Sequence, residues 1–190
     1  MENIVCFATT LHIESRQGFV IGPFCPIYGV GAILLTTFLE PLKEKWYKVF
    51  TIGTILGCSF EYISSYILQA LYNVKFWNYK DQAFNINGRT SVMYAICWGL
   101  LSVALIYFLN PKVNKFIKKF EYKSLDIIIA VYMSVNCLLT YNSINSYVNR
   151  IEKTSTNEQT LMTNEVMEVV FPNMLYVVDE SLAIPIKEMF

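Results

Sequence analysis

The chain has 190 residues, 54% of them hydrophobic and only 16% charged, with a mean hydropathy of +0.38, whereas soluble domains of this size carry about 25% charged residues. Fifteen basic and fifteen acidic residues cancel, which gives no basis for a nucleic-acid partner. Five cysteines at wide, irregular spacings and a single histidine, His12, exclude a zinc-type ligand pattern and a disulfide framework.

No basic start, long apolar run and small-residue cleavage site opens the chain, so a cleavable signal peptide is not expected. Apolar runs long enough to cross about 30 Å of hydrocarbon fall at 19–39, 49–72, 91–109 and 125–148. The predicted fold is an all-α membrane protein, a polytopic transmembrane helical bundle with four spans in residues 1–148, followed by a polar tail over 149–190. In the first span Pro23, Pro26, Gly22, Gly29 and Gly31 predict broken or re-entrant opening turns. The second carries Gly53 and Gly57 in a GxxxG spacing that permits close helix approach. After Asn149 the chain turns polar; 154–160 reads as a linker, 161–170 as a short amphipathic helix and 175–178 as an extended piece.

Between the spans, 40–48 holds Lys43, Lys45 and Lys48, and 110–124 holds Lys112, Lys115, Lys118, Lys119 and Lys123. Basic residues of the opposite side, Arg16, Lys75, Lys80, Arg89, Arg150 and Lys153, are spread over far more chain. The positive-inside rule therefore predicts that loops 40–48 and 110–124 are cytoplasmic and that 73–90 lies on the other side of a multi-pass cell-membrane protein. Trp46 and Tyr47, then Phe76, Trp77 and Tyr79, bracket the second span as interfacial anchors.

Three constellations carry candidate chemistry. Glu61 sits mid-span, where an ionised side chain costs on the order of 3 kcal/mol; it is either a hydrogen-bonded structural acid or an intramembrane group that binds a cation or shuttles protons. Arg89, Asn136 and Tyr62 are its candidate partners, and it is expected to point toward the 22–29 segment and the 85–89 loop. The loop from Lys75 to Arg89 brings Trp77, Phe84, Asn85, Asn87 and Arg89 just ahead of a helix, with Thr90 or Ser91 as its N-cap. It reads as ordinary turn chemistry or as an interfacial pocket in which Arg89 grips an anionic group and the aromatics wall an apolar one. Cys25 and Tyr28 lie in the proline- and glycine-rich stretch that opens the first span, and an inert thiol is the simpler reading of Cys25. No metal or cofactor site is read from the sequence. The absence of a GxxxxGK[ST] loop separates this chain from an ATP-hydrolysing subunit.

Gly18-Phe-Val-Ile-Gly-Pro-Phe-Cys-Pro-Ile-Tyr-Gly29, then Phe60-Glu61-Tyr62, Trp77-Asn78-Tyr79, Phe84-Asn-Ile-Asn-Gly-Arg89, Trp98-Gly99 and Phe171-Pro-Asn-Met174, resemble the bacterial ABC-transporter permease family of type IV, the CmpB-like membrane proteins. The resemblance implies a permease-type integral membrane protein that binds or moves a small or amphiphilic solute. Its partners would be the lipid bilayer, a further copy of itself as a homo-oligomer, or a separate ATPase subunit. Relatives place a complete helix ending in Gly-Trp-x-x-Glu before the Gly-Phe motif; Glu2 resembles that Glu, so the family's first helix is expected to be missing through a shortened gene start. Two alternatives stand beside this reading. One is a membrane-embedded lipid-modifying enzyme built on Cys25, His12, Glu61 and Arg89; the other is a non-catalytic membrane scaffold.

Overall fold

The structure, a computed structural model, describes residues 18–22, 24–119, 123–153, 163–179 and 182–185. Glu2, Cys6, His12, Arg16, Pro23, Lys187 and the predicted linker 154–160 lie outside the described residues. The described helices are α1 (Pro26–Leu39), α2 (Trp46–Tyr72), α3 (Val92–Ala104), α4 (Asn110–Lys119), α5 (Lys123–Lys153) and α6 (Asn164–Val170), and the strands are β1 (Val74–Lys75), β2 (Leu175–Asp179) and β3 (Leu182–Pro185). The chain is thus mostly helical, with a small sheet that the all-α expectation lacked.

Three of the predicted spans and one predicted loop meet different outcomes. The run 49–72 is helix α2, and 125–148 lies inside α5. The run 19–39 is helical only as the 14-residue α1, about 21 Å long and short of the hydrocarbon thickness; residues 18–22 are bends, in keeping with their glycines. The expected loop 110–124 is corrected: Asn110–Lys119 is helix. It continues α3 through a wider π-turn at Leu105–Leu109, closed by the Asn110 N–H on Leu105 O. Pro111 accounts for the wider turn, because in a regular helix its ring meets the carbonyl four residues back and its missing N–H breaks the ladder.

Among the described residues, two helices are long and apolar enough to cross a membrane, Val92–Lys119 with a mean hydropathy of 2.2 over its most apolar stretch and Ser124–Ile151 with 1.6. Only 17% and 22% of those stretches is buried within the protein, so neither behaves as the core helix of a soluble domain. Along residues 127–143 of α5 the usual pattern is inverted. Asn136, Thr140 and Ser143 are buried while Ile127, Ile128, Val131, Val135 and Leu138 are exposed. Water would penalise that arrangement by about 25 cal/mol for each Å² of apolar surface, whereas hydrocarbon favours it. The pattern is consistent with a membrane location.

The chain divides into two compact units, Met1–Pro26, Leu68–Trp77 and Ala130–Phe190 forming the first and Ile27–Ile67 with Asn78–Ile129 the second. In the first, β1, β2 and β3 make an antiparallel sheet with Val74 opposite Tyr176 and Tyr176 opposite Ile184. Thr163 caps α6 by accepting from Val166 N, and Met167, Val170, Phe171 and Met174 pack with Val74, Ile144 and Tyr147 in one core. Val20 N donates to Thr140 Oγ1 at 3.1 Å, and Tyr132 OH donates to Ile21 O at 3.2 Å. Gly22 has φ +86°, and a Cβ there would collide with the Tyr132 hydroxyl, so the motif's glycine is required by backbone conformation and by space.

The second unit is organised by a four-residue repeat. Val49, Gly53, Gly57, Glu61 and Ser65 are the buried residues of α2, one stripe along one face. A Cβ on Gly53 would overlap Ser102, one on Gly57 would overlap Trp98, and one on Gly99 would overlap Thr54 and Phe50. These glycines let α2 and α3 meet backbone to side chain, as the GxxxG spacing allows. Leu35 and Leu39 of α1 close the seam with Val49 and Ile106.

Candidate functional site

Glu61 is the charged member of that stripe. Because Gly53 and Gly57 bring α3 close, its carboxylate faces α3, and the residue is only 8% exposed. Tyr79 OH donates to Oε1 at 3.1 Å, and Trp98 Nε1 donates to Oε2 at 3.3 Å, so each carboxylate oxygen has a donor. Tyr79 is itself held by a stacked contact with Tyr94, ring centroids 4.1 Å apart. Two donors from different elements compensate the burial of the acid.

One turn beyond Glu61 on the same face, Ser65 accepts from Arg89 Nη1 at 3.0 Å. Arg89 is also only 8% exposed, and its guanidinium lies 5.7 Å from the ring centroid of Tyr62 and 5.6 Å from that of Tyr66, both within cation–π range. The loop before α3 delivers it there. Ile86 and Thr90 form a bridge, Arg89 N donates to Ile86 O at 2.9 Å and Tyr79 N donates to Gly88 O at 2.7 Å. Gly88 has φ +67° and its α-carbon abuts Asn78 Oδ1 closely enough that a Cβ would not fit. Ser91 occupies the N-cap position of α3, but its side chain makes no capping hydrogen bond.

The candidate residues separate by what they do. Asn87, at φ 52°, donates from Nδ2 to Tyr62 OH at 3.0 Å and so joins Glu61 and Arg89 on the α2 face. Asn85 is spent on its own loop, donating to Lys80 O and Gln82 O and accepting from Gly88 N; that is the turn chemistry read as the simpler alternative. Phe84, at φ 53°, is 83% exposed, so it walls no pocket. Tyr28 is exposed in the first turn of α1. Cys25 and Trp77, both half-buried, belong to the first unit, whereas Glu61 and Arg89 belong to the second. Asn136, an expected partner of Glu61, is a buried residue of the first unit.

Sequence reasoning missed Ser65, Tyr66, Tyr79, Tyr94 and Trp98 as members of the cluster. The small or polar residue at every fourth position from Gly53 to Ser65 was the signal for Ser65. Among the described residues, no group of three or more His, Cys, Asp or Glu is placed to hold a metal ion.

A helical chain with apolar exposed surfaces and a hydrogen-bonded polar seam between close-packed helices is of membrane-protein type. Its residues 1–144 match the family described as "Putative ABC-transporter type IV", and the chain belongs to that family. No curated protein and no solved structure matches it.

Proposed function

We propose that this chain is the permease-type membrane component of a transporter and that the Glu61–Arg89 cluster contacts its small or amphiphilic solute. The single observation that carries the reading is Glu61 itself: a carboxylate amid an apolar helix, held by Tyr79 OH and Trp98 Nε1. Such a group is costly in hydrocarbon and marks solute and proton paths in membrane proteins. Asn87 and Arg89 flank it, one offering an amide and the other a guanidinium that pairs with carboxylate or phosphate.

The fuller topology belongs to the same reading. Residues 19–39, 49–72, 91–109 and 125–148 are four membrane-embedded segments, the first entering as a short helix behind bends. Loop 40–48 and the lysine-rich stretch 110–124 lie in the cytoplasm, by the excess of lysine there. Four such segments are few for a self-sufficient path, so a second copy completes the membrane unit and a separate ATPase subunit supplies energy. Asn85 has a supporting role, bracing the loop that carries Asn87 and Arg89, and Cys25, Tyr28 and Trp77 stay as further candidates for solute contact.

Gentle purification from native membranes and mass measurement of the particle tests the component reading. Recovery of an oligomer or of an associated ATPase chain is the expected outcome, and a strict monomer with no companion would overturn it. For the solute-contact role, Glu61→Gln should abolish solute movement across the membrane while the protein reaches normal membrane levels. Unchanged movement would remove Glu61 from the path.

A further inference from the structure

Helix α4 reads Asn110-Pro-Lys-Val-Asn-Lys-Phe-Ile-Lys-Lys119, four lysines and no acid in ten residues. At about 100° per residue, Lys112, Lys115, Lys118 and Lys119 fall within an arc of about 120°, and Val113, Phe116 and Ile117 within an arc of about 100° on the other side. Those three apolar side chains are 48%, 65% and 56% exposed. The helix therefore has two unlike faces, basic and apolar, and no residue of it is buried.

Its position says what meets both faces. α4 is the direct continuation of the apolar stretch of Val92–Lys119, whose 28 residues span about 42 Å, close to the thickness of a bilayer with its headgroup layers. Asn110 Nδ2 donates to Glu40 Oε2 at 3.0 Å, and Tyr107 OH donates to Lys43 O. These bonds join the start of α4 to the segment that carries Lys43, Lys45, Lys48 and the exposed Trp46 and Tyr47. Lysines, tryptophan and tyrosine at one helix end are the composition of a headgroup-level belt.

We infer that α4, with the adjoining Lys43–Lys48 turn, is a binding surface for anionic phospholipid headgroups. Val113, Phe116 and Ile117 enter the acyl boundary, while Lys112, Lys115, Lys118 and Lys119 meet phosphate oxygens. A lipid surface serves both faces at once; an acidic protein partner would serve the lysines and leave the apolar arc in water. The inference rests on the membrane location of Val92–Lys119 and not on any role of Glu61.

The test uses the full chain in nanodiscs of phosphatidylcholine with and without phosphatidylglycerol, followed by native mass spectrometry of the lipids that stay bound. Wild type should retain phosphatidylglycerol preferentially, less so as salt is raised. With each lysine near an anionic surface worth about five-fold, K112Q/K115Q/K118Q/K119Q should lower that retention by well over ten-fold and leave phosphatidylcholine unchanged. The charge-conserving K112R/K115R/K118R/K119R should keep it, which separates lost charge from lost folding. Undiminished retention in the glutamine variant, or loss in the arginine variant, overturns the inference. So does a glutamine variant that keeps its phosphatidylglycerol but sheds a co-purifying protein, because the surface is then a protein dock.

Discussion

Trp98 donates its indole N–H to Glu61 Oε2 at 3.3 Å from a ring that lies directly against the backbone at Gly57. The glycine and the acid are successive members of one buried stripe, so close helix approach and compensation of the carboxylate are a single design. Replacing Glu61 with Gln keeps an acceptor for one of the two donors and the volume of the side chain. Leu fills the space but strands Tyr79 OH and Trp98 Nε1, at about 1–3 kcal/mol for each donor left unsatisfied. Denaturation in detergent micelles should rank wild type above Glu61→Gln and both above Glu61→Leu; equal stability of Gln and Leu variants would contradict the hydrogen-bonded geometry.

Gly57 gives a second prediction, on packing alone. Gly57→Leu introduces a side chain where the Trp98 ring sits, and overpacking of this kind costs about 1–3 kcal/mol. Combining it with Trp98→Ala opens the space again. The double variant should be less destabilised than the sum of the singles, the non-additivity expected of residues in contact. Strict additivity would mean that the ring and the glycine do not meet.

How much of this was legible beforehand depends on range along the chain. The apolar run 49–72 and the GxxxG spacing are local, and helix α2 and its seam follow from them. Glu61 was legible as an anomaly in an apolar run, but its donors were not: Tyr79 and Trp98 are 18 and 37 residues away, and nothing in the spacing singles them out from other aromatics. The lysine-rich stretch after Leu109 read as a loop because charge dominated the reading. Its apolar residues at 113, 116 and 117 carry the helical period, which the positive-inside count does not use. The extended piece expected at 175–178 is most of β2, but its pairing into a sheet was missed for a related reason, since β1 is a two-residue strand whose partners, Tyr176 and Leu175, lie about a hundred residues on.

At the Glu40–Lys43 turn the prediction concerns pH. Lys43 Nζ donates to Glu40 Oε1 at 2.9 Å, which above all holds the Glu40 carboxyl below its ordinary value, with Asn110 adding a second donor against a small desolvation cost. The same hydrogen bond raises Lys43. A depressed carboxyl stabilises the fold above its unfolded pKa, and that contribution is lost as pH falls through the lower folded value. A raised lysine contributes below its unfolded pKa and loses its contribution as pH rises through the higher folded one. Both groups are at the surface, so the effect on overall stability is small. Carbon-13 titration of the Glu40 carboxyl is the direct measurement: it should titrate low in wild type and move up in Lys43→Gln. No movement would show that the pair is not formed in solution.

Arg89 provides the strictest test of the cluster, because its contacts with Ser65, Tyr62 and Tyr66 ask for different properties of one side chain. The hydrogen bond to Ser65 Oγ asks for a directed donor, and the positions near Tyr62 and Tyr66 ask for a cation that lies flat on aromatic faces. A guanidinium supplies both, whereas an ammonium is a compact, strongly hydrated charge that stacks poorly. Arg89→Lys keeps the charge but should still destabilise the chain, by about 1 kcal/mol through loss of the aromatic contacts. Arg89→Gln keeps a donor for Ser65, drops the charge and should cost more, since charge-assisted hydrogen bonds are about twice as strong as neutral ones. Ser65→Ala should be milder than either, because the arginine retains its place between the two rings. Gly88→Ala acts on the same residue from a distance: with φ +67° and no room beside Asn78, the added methyl must shift the turn that carries Arg89. Thermal denaturation in one detergent should therefore order the variants as Ser65→Ala, Arg89→Lys, Arg89→Gln from mild to severe, with Gly88→Ala lowering stability while every side chain of the cluster is intact. If Arg89→Lys matches wild type, the aromatic faces contribute nothing and Arg89 acts only as a point charge.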